Sequence, residues 1–155
     1  MEADRRRRGF TPALIVMALA LSLLSTRANA DPPRGGVLSM HLGLRNSNGQ
    51  VGCLLFSSEK GYPKDHSAAA QSKWCPITSS ESVCSFDPIP AGTYAVACFH
   101  DENKNGKLDT GMFGIPTEGT VASNNARGFM GPPSFKDAKF AFSGSATEMR
   151  LKMVY

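Results

Sequence analysis

Residues 93–100 read Thr-Tyr-Ala-Val-Ala-Cys-Phe-His, and this stretch decides the fold. Alternate side chains of a strand point to opposite faces, so positions 94, 96 and 98 share one face and positions 95, 97 and 99 share the other. Both sets are apolar, which is typical of a strand that is covered on both sides. The residues just before it, Pro90-Ala91-Gly92, predict a tight turn, because proline presets the backbone and glycine permits a positive φ. The sequence therefore predicts a central strand.

Shorter strand patterns lie on both sides of this one. The turn signal 46–49 separates two alternating segments, which we expect to pair as a hairpin. Residues 65–73 hold at most a helical turn or two, and residues 101–133 form one long irregular segment rich in Gly, Asn and Pro. These features predict an all-β fold, a single antiparallel β-sandwich of about seven strands. The predicted strands are residues 37–42, 50–56, 74–77, 82–86, 93–100, 138–142 and 149–155.

The N-terminal segment has the three parts of an export signal. The basic residues Arg5–Arg8 precede an apolar stretch, Ala13–Leu24, and a small-residue cleavage site, Ala28-Asn29-Ala30. The apolar stretch is shorter than the roughly twenty residues that span a bilayer. Because Arg7-Arg8-Gly9-Phe10 also fits the twin-arginine core, both the general secretory and the twin-arginine route stay open.

The export signal sets the domain organisation and the compartment. We expect a signal peptide at 1–30, a flexible lead at 31–36 and one β-sandwich domain at 37–155. The mature protein is then periplasmic or secreted and has no membrane span. The chain has 17 basic and 13 acidic residues, but residues 1–30 carry five arginines and two acids. The near-neutral net charge of the mature domain gives no reason to expect nucleic acid or an acidic lipid surface as a partner.

Four cysteines lie in the predicted mature domain, and an even number in an oxidising compartment predicts two disulfides. If Ser79 and Ser80 form a turn, then positions 75 and 84 lie opposite each other, which leaves position 53 to pair with position 98. A slip of one residue would instead allow pairs 53–84 and 75–98. All three possible pairings of Cys53, Cys75, Cys84 and Cys98 stay open, and the alternative is free buried thiols.

The segment Asp101–Asp109 resembles the first nine positions of an EF-hand calcium loop. Calcium needs several converging oxygen atoms, and a glycine at the sixth position permits the sharp turn. Position twelve is Met112 instead of glutamate, so we expect weak calcium binding. The alternative is a loop that Asx-turns hold without an ion. The predicted ligands are Asp101, Asn103, Asn105, the carbonyl of Lys107, and Asp109.

A second candidate loop runs from Glu118 to Phe135. Its polar residues Asn124, Asn125 and Arg127 could recognise a carboxylate, a sugar or a peptide. Alternatively, the asparagines cap backbone groups and the aromatic residues Phe129 and Phe135 pack beneath the loop.

Several short motifs occur in one order along the chain, and together they resemble a known family. The string Pro90–Val96 resembles the turn and strand shared by transthyretin-like and carboxypeptidase-regulatory-like sandwiches. With Gly61-Tyr62-Pro63, His100–Asn103, Gly114-Ile115-Pro116 and Ser123–Gly128, the chain resembles the bacterial exported proteins of domain of unknown function 2141. The resemblance covers position 37 to the C-terminus. It implies a prealbumin-like (Ig-like) sandwich in the bacterial envelope and implies no activity.

Two function classes follow. The first is a non-catalytic envelope module that is structural or binds a small molecule, a glycan or an envelope protein, with calcium stiffening one loop. The second is a periplasmic metal-handling protein or hydrolase centred on His100, Asp101 and Asp109. No nucleophile elbow, zinc-protease motif or nucleotide-binding loop accompanies these residues, which favours the first class.

Cleavage after Ala30 predicts a mature chain that begins at Asp31. Intact-mass measurement of the protein purified from the periplasm or the medium checks this. A mass that includes residues 1–30 would contradict the export prediction.

Overall fold

The computed structural model describes residues 35–155, so the signal peptide expected at 1–30 lies outside the described residues. No helix between 35 and 155 has the length and apolarity needed to cross a bilayer. This part of the chain forms strands with only short helical turns, so the all-β class is confirmed. The elements are β1 (Gly36–Gly43), β2 (Gln50–Phe56), β3 (Gln71–Cys75), β4 (Ile77–Thr78), β5 (Glu81–Ile89), β6 (Gly92–Asp101), β7 (Thr120–Ala122), α1 (Phe135–Ala138), β8 (Phe140–Phe142) and β9 (Thr147–Lys152).

The strands form two sheets. One has the order β4-β5-β1-β9, and the other has the order β3-β2-β6-β7, with β8 also paired to β6. Strand β6 pairs with β2 along one edge and with β7 and β8 along the other, so the predicted central strand is confirmed. Side chains on both of its faces are buried, as the two apolar sets required.

The two sheets share one hydrophobic core. Alternate residues of β1, such as Leu38 and Met40, meet alternate residues of β2 and β6, such as Leu55 and Val96. Burial of each large side chain of this kind contributes about 1.5–3 kcal/mol. The opposite face of β6 is covered separately, because Ala95 packs with Ala138 of α1.

The cysteines pair as Cys53–Cys98 and Cys75–Cys84, and residues 35–155 contain no free cysteine. Cys53 and Cys98 are register partners on β2 and β6, with Cα atoms 4.1 Å apart. The second disulfide joins β3 to β5 and therefore links the two sheets. The turn at Ser79–Ser80 forms as expected, with both residues at positive φ, but the chain changes sheet between Cys75 and that turn.

The hairpin expected from residues 37–42 and 50–56 is wrong. Strand β1 pairs with β5 and β9, whereas β2 pairs with β3 and β6 in the other sheet. The apolar faces of both strands enter the shared core from opposite sides, which a hairpin within one sheet would not allow. The connection crosses between sheets, and Gly49 within it approaches the Asp101 carbonyl too closely for any side chain.

The strictly antiparallel arrangement and the number of strands also differ from expectation. Residues 35–155 form nine strands, because β4 is separate and β7 lies within the segment expected to be irregular. Strand β9 runs parallel to β1. The chain reaches β9 by crossing from β8 in the other sheet, so no hairpin turn dictates its direction. Residue 138, expected in a strand, ends α1 instead.

A buried serine fills a gap in the ladder beside β6. The partners of β6 on this edge are β8 at residues 92–94 and β7 at residues 97–99, which leaves a short stretch between them. There, the Val96 N–H donates to Ser123 Oγ over 2.9 Å, and the same hydroxyl donates to the Ala138 carbonyl over 2.6 Å. Ser123 therefore connects β6 to α1.

Replacing Ser123 by Ala should lower the free energy of unfolding by about 1–3 kcal/mol, because a buried N–H and a buried carbonyl each lose a partner. Chemical denaturation measures this loss. The exposed residue Ser72 provides the matched control as Ser72→Ala, which should change stability little. Equal effects of the two substitutions would contradict the role assigned to Ser123.

Candidate functional site

The candidate site begins where β6 ends, at a fully buried carboxylate. Asp101 Oδ1 accepts the N–H of Asn105, and Oδ2 accepts the N–H of Gly106, each over 3.0 Å. The Gln50 amide also donates to Oδ2 over 3.0 Å. Gly106 has φ +80°, so the backbone turns sharply at this position. Hydrogen bonds to a charged group contribute about 1.5–3 kcal/mol each, so Asp101 folds the loop back on the strand end.

A second buried carboxylate closes the loop from its far side. Glu118, which is 5% exposed, accepts the N–H of Glu102 over 2.8 Å and the N–H of Asp109 over 2.9 Å. Its two oxygens therefore hold both ends of the segment 102–109. Sequence reasoning named Glu118 only as the start of the next loop, since no spacing rule connects it to Asp109.

Three of the predicted calcium ligands, Asn103, Asn105 and Asp109, come together between these two carboxylates. The side-chain amides of Asn103 and Asn105 donate to the two oxygens of Asp109 over 2.7 and 2.9 Å. These bonds, that of Asn105 foremost, lower the pKa of the Asp109 carboxyl. Asn103 Oδ1 accepts the N–H of Asn105, and Asn105 Oδ1 accepts the N–H of Lys107, so both residues form Asx-turns.

The donor set of this loop is rich in amides and poor in carboxylates. Within the described part of the chain, no three His, Cys, Asp or Glu side chains group so as to hold a metal ion. The oxygens available here belong to two aspartates, two asparagine amides and a backbone carbonyl. Such a set suits a hard cation at low affinity and does not suit zinc or copper.

His100 is fully buried, and both of its ring nitrogens are engaged. Nε2 lies 2.7 Å from the Asn48 carbonyl, which can only accept, so Nε2 carries the proton. Nδ1 lies 2.7 Å from the Tyr155 hydroxyl, and that hydroxyl accepts the N–H of Arg45 over 3.0 Å. Both ring nitrogens of His100 are therefore hydrogen-bonded within the fold.

A surface ion pair covers this histidine. Arg45 Nε donates to Glu102 Oε1 over 2.8 Å, and the guanidinium lies 4.2 Å from the centre of the Tyr155 ring. The hydrogen bond from Arg45 lowers the pKa of the Glu102 carboxyl and raises the pKa of Arg45. Sequence reasoning missed Arg45 and Tyr155, because they lie far from residue 102 along the chain.

The second candidate loop is not gathered into one site. Asn124 donates to the carbonyls of Lys139 and Ala138 over 2.9 and 3.2 Å, so its amide fastens the end of α1. Asn125 and Arg127 are exposed, and Arg127 has no ion pair with any residue from 35 to 155. Phe135 packs against Tyr62 with ring centres 5.7 Å apart.

A shallow cleft of about 380 Å³ lies beside the first loop. The chain's single tryptophan, Trp74, contributes to its wall, and Gln50 connects the cleft to the buried Asp101. The cleft is large enough for a small ligand. Its lining residues are Ser47, Gly49, Gln50, Trp74, Cys75, Pro76, Ile77 and Lys104.

A family model described as an uncharacterized protein conserved in bacteria, DUF2141, matches residues 42–150. The chain belongs to this family. The DUF2141 match extends from β1 to β9 and includes both candidate loops. The family expected from the motif order is thereby confirmed. No curated protein and no solved structure matches this DUF2141 chain.

The ion pair of Glu102 predicts a pH dependence of stability. Because folding lowers the pKa of this carboxyl from its ordinary value of 4.5, its contribution is present above that pH and is lost as the pH falls through the folded value. Glu102→Gln should therefore lose less stability on acidification than the wild type does. Chemical denaturation at pH values above and below 4.5 measures the difference in stability between the two proteins.

The matched control for this prediction is Glu59→Gln, since Glu59 is exposed and forms no ion pair within residues 35–155. This variant should follow the wild-type profile. If Glu102→Gln followed that profile too, the stabilising role of the Arg45–Glu102 pair would be refuted.

Proposed function

We propose that this DUF2141 protein is a non-catalytic binding module of the bacterial cell envelope, with a weak calcium site at residues 101–109. One observation carries the proposal: the side chains of the predicted ligands Asn103, Asn105 and Asp109 contact each other, and Asp101 accepts the backbone N–H of Asn105. Asp101 and Asp109 lie at the two ends of this set, and Asn103 and Asn105 lie between them. Two buried carboxylates hold the backbone around it.

Calcium binding at this loop requires a local rearrangement of the asparagine amides and of the three N–H groups that Asp101 now accepts. The N–H groups of Asn103 and Asn105 now compensate the charge of Asp109. A cation would take over that role, and the two amides would turn so that their oxygens face it. Calcium takes six to eight oxygens, and the loop supplies two carboxylates. Met112, at the twelfth position, adds no oxygen. A dissociation constant of about 10⁻⁴–10⁻³ M fits such a site.

The envelope location and the finer fold are part of the same proposal. Two disulfides suit an oxidising compartment, and residues 1–30 have the pattern of a cleavable export signal. Two sheets with one shared core support a prealbumin-like sandwich. Within it, the cleft beside Trp74 is where a small molecule or glycan would contact the calcium loop.

The competing proposal, a hydrolase or metal-handling protein centred on His100, Asp101 and Asp109, has less support. A general base must come within hydrogen-bond reach of the proton it abstracts, and His100 and Asp101 are both fully buried. His100 uses both ring nitrogens, and Asp101 is buried with three donors. Asp109 bonds to the two asparagines of its own loop.

Millimolar calcium should raise the melting temperature of the mature protein, because a ligand that binds only the folded state stabilises it by mass action. At ten times the dissociation constant the gain is about 1.4 kcal/mol. Asp109→Asn should abolish the gain, since it removes one of the two carboxylates while retaining the shape of the side chain. Differential scanning calorimetry with and without calcium measures this effect.

Sodium chloride at matched ionic strength controls for screening of surface charge. Asp87→Asn is the matched variant, since Asp87 is exposed and pairs only with Lys73, outside the loop. It should retain the full calcium effect. Without a calcium-specific shift in the wild type, or with an equal shift in Asp109→Asn, only the Asx-turn interpretation would stand.

A further inference from the structure

Two loops carry large apolar side chains that the core does not use. We call residues 112–115 the first tip and residues 129–130 the second tip. In the first tip, Met112, Phe113 and Ile115 are 78%, 92% and 64% exposed. In the second tip, Phe129 and Met130 are 95% and 94% exposed. Isolated exposed apolar residues are ordinary, but such groups on projecting loops mark interaction sites.

Both tips adopt a backbone conformation that ordinarily favours glycine. Phe113 has φ +62° and Met130 has φ +59°. A bulky side chain is unfavourable in this left-handed region, and such strain concentrates at functional sites. Each tip thus combines an unfavourable backbone conformation with the exposure of large apolar side chains. Neither tip contributes to the packing of the fold.

The first tip projects from a well-anchored base. The Gly111 N–H donates to the Ile115 carbonyl over 2.8 Å, and the Thr117 N–H donates to the Asp109 carbonyl over 3.0 Å. Glu118 then holds the N–H of Asp109. The first tip is therefore the apolar end of a short hairpin. The buried Glu118 and the half-buried Asp109 attach the base of this hairpin to the sheet.

The exposed charges of these loops are basic, because the acidic groups are engaged or face inward. Asp101 and Glu118 are buried, and Asp109 is held by two amides. In contrast, Lys104, Lys107 and Arg127 are exposed, and none of them forms an ion pair in the described range 35–155. A partner with negative charge at its surface and an apolar layer beneath complements this arrangement.

We propose that the two tips insert into the surface of a bilayer that contains anionic lipids. Exposed Phe, Met and Ile side chains enter the boundary between headgroups and acyl chains, and Lys and Arg side chains contact the anionic headgroups. The attachment is peripheral and reversible, because only a few side chains insert and no helix between residues 35 and 155 could span the bilayer. It does not depend on calcium, since the cationic charge comes from the side chains themselves.

Co-sedimentation of the mature protein with lipid vesicles tests the proposal. Vesicles of phosphatidylcholine with phosphatidylglycerol should bind the protein, and binding should weaken in pure phosphatidylcholine or at high salt. Phe113→Asn should weaken binding roughly tenfold or more, because it removes a phenyl ring from the apolar layer. Met130→Asn should also weaken binding. Asparagine tolerates the left-handed backbone, so both variants should fold, which their melting curves verify.

Val83→Thr is the matched control, since Val83 is 51% exposed but lies within β5 and outside both tips. Its vesicle binding should equal that of the wild type. Absence of wild-type binding to anionic vesicles, or equal binding by all the variants, would overturn the proposal. So would a dimer in sedimentation velocity that Phe113→Asn abolishes, because the first tip would then bind a second copy of this chain. All vesicle experiments contain EDTA, so their outcome is separate from that of the calcium titration.

Discussion

The carboxylate of Asp101 lies fully buried at the end of β6, and the arrangement of the whole loop depends on how its charge is compensated. A buried charge is costly unless donors surround it, and here the backbone of the loop itself supplies two of them. The chain must therefore turn back immediately after the strand. Glu118 applies the same constraint at the other end, since its two oxygens accept the N–H groups at the two ends of segment 102–109.

The scaffold makes this loop possible by fixing β6 along both edges and on both faces. Strand β2 is joined to it by the Cys53–Cys98 disulfide as well as by the ladder. On the other edge, the hydroxyl of Ser123 satisfies the backbone where no strand lies alongside. The buried His100 connects the strand end to Tyr155 near the chain's last strand. A rigid base of this kind allows the loops above it to carry exposed side chains.

Sequence reasoning succeeded where a local pattern determines the structure. Both faces of 94–99 are apolar, so the central strand followed, and within the spacing 101–109 the side chains of Asn103, Asn105 and Asp109 contact one another. It failed where the structure depends on distant residues. The hairpin of 37–42 with 50–56 was wrong, because alternation does not tell which sheet a strand joins. Glu118 and Tyr155 were missed for the same reason, since their partners lie far away in sequence.

Amide hydrogen exchange, followed by NMR, tests most directly whether two buried carboxylates organise the loop. In the wild type, the amides of Glu102, Asn105, Gly106 and Asp109 should all exchange slowly. In Glu118→Gln, which keeps only one acceptor oxygen, exchange should accelerate at Glu102 or Asp109, while Asn105 and Gly106 stay protected by Asp101. Fast exchange at all four amides in the wild type, or unchanged exchange in Glu118→Gln, would contradict the account.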